Sequence, residues 1–115
     1  KTTKMNESMR FDIVVYQTVE GIAPFEGWLR KLRDRLAKVH VMRRIQRAAL
    51  GNFGDHKGLG DGLYELRINH GPGYRVYYTQ DGDTIVLLLC AGDKRTQTAD
   101  IQRAKEYIAD YERRK

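Results

Sequence analysis

The sequence predicts an α+β domain: a mostly antiparallel sheet with a helical hairpin from the N-terminal half and one helix at the C-terminus. Three observations carry this reading. A short β-branched and aromatic run, Phe11–Tyr16, precedes a long stretch of helical periodicity. Three further apolar runs, 63–69, 74–79 and 84–90, follow at tight spacing with glycine-bearing turns between them. An amphipathic segment closes the chain. The expected order is β-α-α-β-β-β-α, with strands and helices segregated into layers.

Each element has its own signal. Phe11–Tyr16 (FDIVVY) reads as a strand, and Gly21 breaks it. Pro24 stands where a helix begins, and Phe25, Trp28, Leu29 and Leu32 follow an i, i+3, i+4, i+7 pattern. Asp34 is the expected N-cap of a second helix, with Leu36, Val39, Ile45 and Ala49 as its apolar stripe and Gly51 as its stop. Lys38, Arg43, Arg44 and Arg47 mark the wet side of that helix, a solvated face or a contact surface for RNA or a partner. The segment 51–62 holds five glycines and reads as a loop with a short extended piece. His70-Gly71-Pro72-Gly73 and Asp81-Gly82 turn the chain between the last strands. The final strand is apolar throughout, as a central, covered strand should be. Gly92-Asp93-Lys94-Arg95 reads as a polar loop, after which Thr96 or Thr98 caps a helix lined by Ile101, Ala104, Ile108 and Tyr111.

The composition bounds the class. A chain of 115 residues with 41% hydrophobic content suits one globular domain, expected over residues 9–115, with residues 1–8 as a flexible N-terminus or an expression remnant. The longest apolar run, Ile85–Ala91, falls far short of the roughly 20 residues that span a bilayer, so no membrane partner is expected. No apolar h-region opens the chain. Cys90 is the single cysteine; it lies inside an apolar run, where a buried core thiol is expected, and the absence of a disulfide framework fits the cytoplasm. The formal net charge of +6 favours anionic partners such as nucleic acid or an acidic protein.

Strand alternation locates the chemistry. If the neighbouring strands 63–69 and 74–79 turn Tyr64, Leu66, Ile68, Tyr74, Val76 and Tyr78 toward the helices, then Glu65, Arg67, Arg75 and Tyr77 share the opposite face. Lys57 precedes this face in the chain, and Lys94 and Arg95 follow it. Arginine grips phosphate through a bidentate fork and can stabilise a pentacovalent transition state. Lysine adds a point charge, or a base when its pKa is lowered, and tyrosine can stack on an unpaired base. The plainer alternative is a set of cross-strand ion pairs on a solvated face.

Other chemistries find no support. His40, His56 and His70 are far apart and lack metal-ligand spacing, so no metal is expected. His56 and His70 lie on loops beside the basic face, which leaves acid–base roles open to them. The glycine-rich loop lacks the phosphate-cradling Gly-x-x-x-x-Gly-Lys-Ser/Thr pattern; there is no Gly-x-Ser-x-Gly elbow and no dinucleotide fingerprint. No cofactor is expected.

Several stretches together resemble a known family: Phe25-x-x-Trp28-Leu29, Gly51-Asn52-Phe53-Gly54-Asp55-x-Lys57, Glu65-Leu66-Arg67-Ile68, Gly71-Pro72-Gly73-Tyr74-Arg75-Val76-Tyr77-Tyr78, Leu87-Leu88-Leu89, Gly92-Asp93-Lys94 and Gln97-x-x-Asp100-Ile101. In this order and spacing the chain from about Met9 to Tyr111 resembles the HigB-like "addiction module killer" branch of the RelE/ParE toxins. The resemblance implies a RelE-like fold, a twisted antiparallel sheet with two N-terminal helices packed on it and a C-terminal helix. It implies metal-independent cleavage of messenger RNA on the ribosome, the 2′-hydroxyl attacking the adjacent phosphate. It also implies a cognate helix-turn-helix antitoxin, whose complex with the toxin represses their own operator DNA.

By position, the resemblance makes Arg75 the arginine at the scissile phosphate and Arg67 the basic residue of the preceding strand. Lys94 and Arg95 match the basic pair after the last strand, and Lys57 a basic loop position. The expected catalytic set is Arg67, Arg75, Lys94 and Glu65, with Lys57, Arg95, Gln97 and Tyr77 as RNA contacts. The match is incomplete at the end of the chain. RelE-like enzymes place a tyrosine early in the last helix, where this chain has Ile101, and Tyr107 and Tyr111 lie deeper. The general base therefore stays open between Glu65 and Lys57, with His70 in reserve. Two alternatives remain: a ParE-like toxin that binds DNA gyrase without chemistry, and an inactive module that only holds an acidic antitoxin.

Overall fold

One five-stranded sheet, in the order β1-β5-β4-β3-β2, organises the computed structural model, which describes residues 10–115. The strands are β1 (Asp12–Val15), β2 (His56–Gly60), β3 (Leu63–Ile68), β4 (Tyr74–Asp81) and β5 (Ile85–Asp93). The helices are α1 (Pro24–Lys31), α2 (Arg35–Ala49) and α3 (Gln97–Arg113), with a short 3-10 turn, Lys94–Thr96, leading into α3. The α+β class is as expected, and the expectation for residues 1–8 falls outside the described residues. Among the described residues no helix is long and apolar enough to cross a membrane.

Two features correct the sequence reading. The sheet is mixed: β2–β5 are antiparallel, but β1 joins β5 in parallel, with Asp12 opposite Ile85 and Val15 opposite Leu88. The polypeptide between them supplies the long crossover that a parallel pair requires. The glycine-rich segment also contributes a full edge strand, β2, so the order is β-α-α-β-β-β-β-α. Its glycines weakened the strand signal without preventing pairing with β3.

The sheet is covered on both faces. On one, Phe25, Val41 and Ile45 of α1 and α2 pack against Leu66, Ile68, Val76, Val86 and Leu88. On the other, Ala104 of α3 packs with Leu63, Tyr77, Leu87, Leu89 and Cys90. Alternation along β5 feeds both cores, which is why its sequence is apolar from Ile85 to Ala91. A bulge opposite Tyr77 and Tyr78 breaks that alternation and puts Leu89 and Cys90 on the same side. Cys90 is buried there. The polar loop expected from Gly92 instead begins after Asp93, because β5 keeps pairing with β4 to its end.

The caps and turns follow local chemistry. Pro24 starts α1, and the Asp34 carboxylate accepts from the Leu36 and Ala37 backbone N–H groups at the start of α2. The buried line of α2 differs from the one expected. It runs through Ala37, Val41, Ile45, Ala48 and Ala49, while Leu36 and Val39 face solvent. Alanines on the inner side bring the helix close to the sheet and leave the larger residues outside. Arg44 is not on the wet side either. Its guanidinium donates to the carbonyls of Phe53, Asp55 and Arg67, tying the loop before β2 to β3. Thr96 caps α3 without a side-chain bond to its backbone; its hydroxyl reaches the Asp100 carboxylate at 2.5 Å.

Candidate functional site

Strands β3 and β4 place Glu65 opposite Tyr77 and Arg67 opposite Arg75, all on the face away from α1 and α2. The alternation argument thus assigns the shared face correctly. That face is not solvated, however. α3 has its own apolar stripe to bury, and the part of the sheet beneath it holds both Glu65 and Tyr77 at 0% exposure.

Glu65 is the centre of this arrangement. Its Oε2 accepts from Arg67 Nε at 3.0 Å, and its Oε1 from Gln97 Nε2 at 3.3 Å. Arg75 Nε lies 3.6 Å from the same Oε1. Two like charges directly across a strand pair repel; the carboxylate between Arg67 and Arg75 offsets this, hydrogen-bonded to Arg67 and paired by charge alone with Arg75, whose buried Nε has no hydrogen-bond partner among the described residues. The cross-strand ion pairs foreseen as an alternative are therefore present, but buried. They also correct the role expected for Glu65: a carboxylate wholly enclosed and held by three side chains cannot reach a substrate proton. Its carboxylate lies between the two arginines, behind the cavity they line.

Beyond Glu65 the arginines open onto a polar cavity of about 210 Å³. Arg67, Arg75 and Lys94 line it, together with Asp55 and the Gly71-Pro72-Gly73 turn. Arg75 also donates from Nη1 to the Gly73 carbonyl at 3.3 Å. Gly73 has a φ of +82°, and a Cβ there would make only ordinary contact with the Lys94 stem and Arg75 Nη1. Glycine is called for by the left-handed conformation and not by lack of space. Asp55 stands 3.9 Å from Arg67 Nη1 and is largely exposed, so an incoming anion could displace it. Asp55 is a cavity residue that strand alternation does not single out. Its signal was its place in Gly54-Asp55-x-Lys57, two residues before a lysine on a loop that Arg44 holds to β3.

The expected RNA contacts are scattered. Lys57 sits opposite Glu65 on the edge strand β2, exposed but outside the cavity lining. Arg95 is exposed and bonded to Asp93 at 3.0 Å, and Gln97 is committed to Glu65. Tyr77 corrects the expectation outright, because a fully buried ring has no face to offer a base. Burial, then the nearby Glu65 charge, pushes its phenol pKa upward, and its hydroxyl has no hydrogen-bond partner.

The histidines point elsewhere. His56 Nδ1 bonds to the Gly54 carbonyl at 2.9 Å. His70 Nε2 lies 3.0 Å from Asp34 Oδ2 and its ring is 4.8 Å from that of His40, beside α2 and away from the cavity. The Ala37 backbone N–H, followed by His70, holds the Asp34 carboxyl below the usual range. Among the described residues no three metal-ligating side chains gather.

Residues 27–111 match the family described as "Phage derived protein Gp49-like (DUF891)", a stretch that includes every cavity residue. Over 81 residues the chain is 51% identical to an uncharacterized protein of Haemophilus influenzae (strain ATCC 51907 / DSM 11121 / KW20 / Rd). That similarity covers 70% of this chain and 82% of the relative.

Proposed function

Because the chain belongs to the phage-derived Gp49-like family, a RelE-type toxin-like family of toxin–antitoxin systems, we propose that it is the toxin of such a pair, of the HigB-like branch, acting as a metal-independent, ribosome-dependent messenger RNA endonuclease in the cytoplasm. Its partners on this reading are a cognate helix-turn-helix antitoxin, messenger RNA on the ribosome and, through the antitoxin complex, operator DNA.

The observation that carries the reading is the convergence of Arg67, Arg75 and Lys94 on one polar cavity, with the two guanidiniums held from behind by buried Glu65. Such a cavity suits a phosphodiester. The guanidiniums hold the non-bridging oxygens, so that charge developing at phosphorus meets fixed donors that need no rearrangement. The 2′-oxygen forms its bond to phosphorus, its proton leaves to a base, and the bond to the 5′-oxygen breaks, that oxygen taking up a proton. Lys94, exposed at the rim, stabilises the charge on the departing side. Lys57 and Arg95 extend the positive surface along the RNA backbone.

The test is brief expression in cells without the antitoxin, mapping RNA 5′ ends and assaying DNA double-strand breaks beside an Arg75→Ala control. New in-frame transcript cuts that vanish in the control are expected. Broken DNA with intact transcripts would replace the reading with gyrase poisoning; neither lesion would leave an antitoxin-binding module.

A further inference from the structure

α2 carries five basic residues, Arg35, Lys38, Arg43, Arg44 and Arg47, and no acidic residue. Only Arg44 turns inward to the loop carbonyls. Among the described residues no carboxylate lies within ion-pair distance of the other four. An ordinary exposed helix face is laced with i, i+4 pairs of opposite charge. This face instead interleaves its cations with large apolar side chains: Leu36 is 57% exposed, Val39 43% and Met42 38%. The helix already buries Ala37, Val41 and Ile45 against the sheet, so the outer stripe is a second apolar line with no intramolecular use. At its flank a cleft of about 330 Å³ opens between α1 and α2, lined by Glu26, Leu29, Arg30 and Lys38. Lys38 is one helical turn from Met42, which makes cleft and stripe neighbours.

We infer that the outer face of α2, with the adjoining cleft, docks an acidic amphipathic helix of a partner protein. The apolar stripe receives an i, i+3, i+7 row of apolar residues, and Arg35, Arg43 and Arg47 pair with carboxylates on either side of that row. Protein fits this face better than RNA. Nucleic-acid surfaces are polar and positively charged, and single-stranded RNA is read with aromatic rings; the three exposed side chains here are aliphatic. The face also leaves the polar cavity uncovered, so docking need not compete with the proposed chemistry. The identity of the partner as the antitoxin rests on the reading given under the proposed function.

The test titrates the antitoxin encoded beside the gene into the purified wild-type chain, a Leu36→Asp/Val39→Asp variant and an Arg35→Glu/Arg43→Glu variant. Growth arrest by each variant is measured in cells without antitoxin, and circular dichroism melts confirm folding. The expected result is binding to the wild type that weakens with salt and drops at least about tenfold in both variants, with growth arrest retained. If the aspartate pair does not fold, the glutamate pair, which replaces only exposed charges, carries the test. Equal affinity for wild type and variants overturns the docking surface and leaves the toxin reading standing. Folded variants that no longer arrest growth overturn it in favour of contact with RNA or the ribosome. A wild type that neither arrests growth nor binds the neighbouring gene's product overturns both.

Discussion

The Asp100 carboxylate fills the space in front of Gly92, so that a Cβ added at Gly92 would overlap it and the Thr96 hydroxyl. Gly92 pairs with Arg75 across β4 and β5, and the 3-10 turn that carries Lys94 follows it directly. Gly92→Ala should therefore cost about 1–3 kcal/mol in urea unfolding, as an overpacked site does. Asp100→Ala in the same chain should recover part of that loss, because the two residues share the space. Strictly additive effects would contradict the packing.

Glu65 should matter to activity more than its buried position suggests. Glu65→Gln keeps the shape and removes the charge that spaces Arg67 from Arg75. RNA cleavage is expected to fall by up to about 100-fold, since arginines misplaced by about an ångström lose the phosphate geometry. Stability should fall by only about 1–3 kcal/mol. Cleavage at the wild-type rate would remove Glu65 from any part in holding the arginines.

Arg75→Lys should not restore what Arg75→Ala loses. A lysine at that position could face either the Gly73 carbonyl or the cavity, but it has no planar fork to meet a phosphate while held by Glu65. The measurement is transcript cleavage by the two variants side by side.

The adjacency of β3 and β4 and the shared face of Glu65, Arg67, Arg75 and Tyr77 were legible because alternation and short turns are local signals. What escaped was decided at long range. The parallel seat of β1 depends on β5, some seventy residues away, and no local pattern encodes it. The burial of Glu65 and Tyr77 depends on where α3 lies, so a polar strand face read as solvated. The helical period of α2 was clear, but its phase only in part: Ile45 and Ala49 are buried as expected, whereas Leu36 and Val39 lie on a second, outer apolar line. Arg67, Arg75 and Lys94 could be nominated from sequence, whereas Asp55 and Arg44 gain meaning only once the loop 53–55 lies against β3.

Burial, then the Asp100 charge, pushes the Cys90 thiol up to about 12. At pH 8 it should stay protonated and react slowly with a disulfide reagent in the native protein, but quickly in urea. Fast native labelling would show that α3 lifts from the sheet.

Tyr16 donates to Asp110 at 2.5 Å, joining the end of β1 to α3. Burial and this bond raise the Tyr16 pKa from 10.0 to about 12. The neutral phenol is the bonded form, so its contribution is whole below pH 10 and is lost as the pH rises through about 12. Asp110 is held below its ordinary 3.8, first by Tyr16, so the carboxylate's share persists above that value and is lost as the pH falls through the lowered one. Tyr16→Phe should lower stability at pH 7 by about 1 kcal/mol and remove part of the alkaline loss above pH 10. Identical alkaline unfolding curves would sink the assignment.

The parallel pairing of β1 with β5 fixes an order of events during synthesis. β1 leaves the ribosome some seventy residues before its sheet neighbour β5, and Lys94 and α3 come later still. A contact so distant in sequence forms late and slowly. The nascent chain therefore carries Arg67 and Arg75 without the finished cavity around them, and a chain truncated before β5 has neither the seat for β1 nor the rim that Lys94 provides. The cavity is complete only once Lys94 has been made.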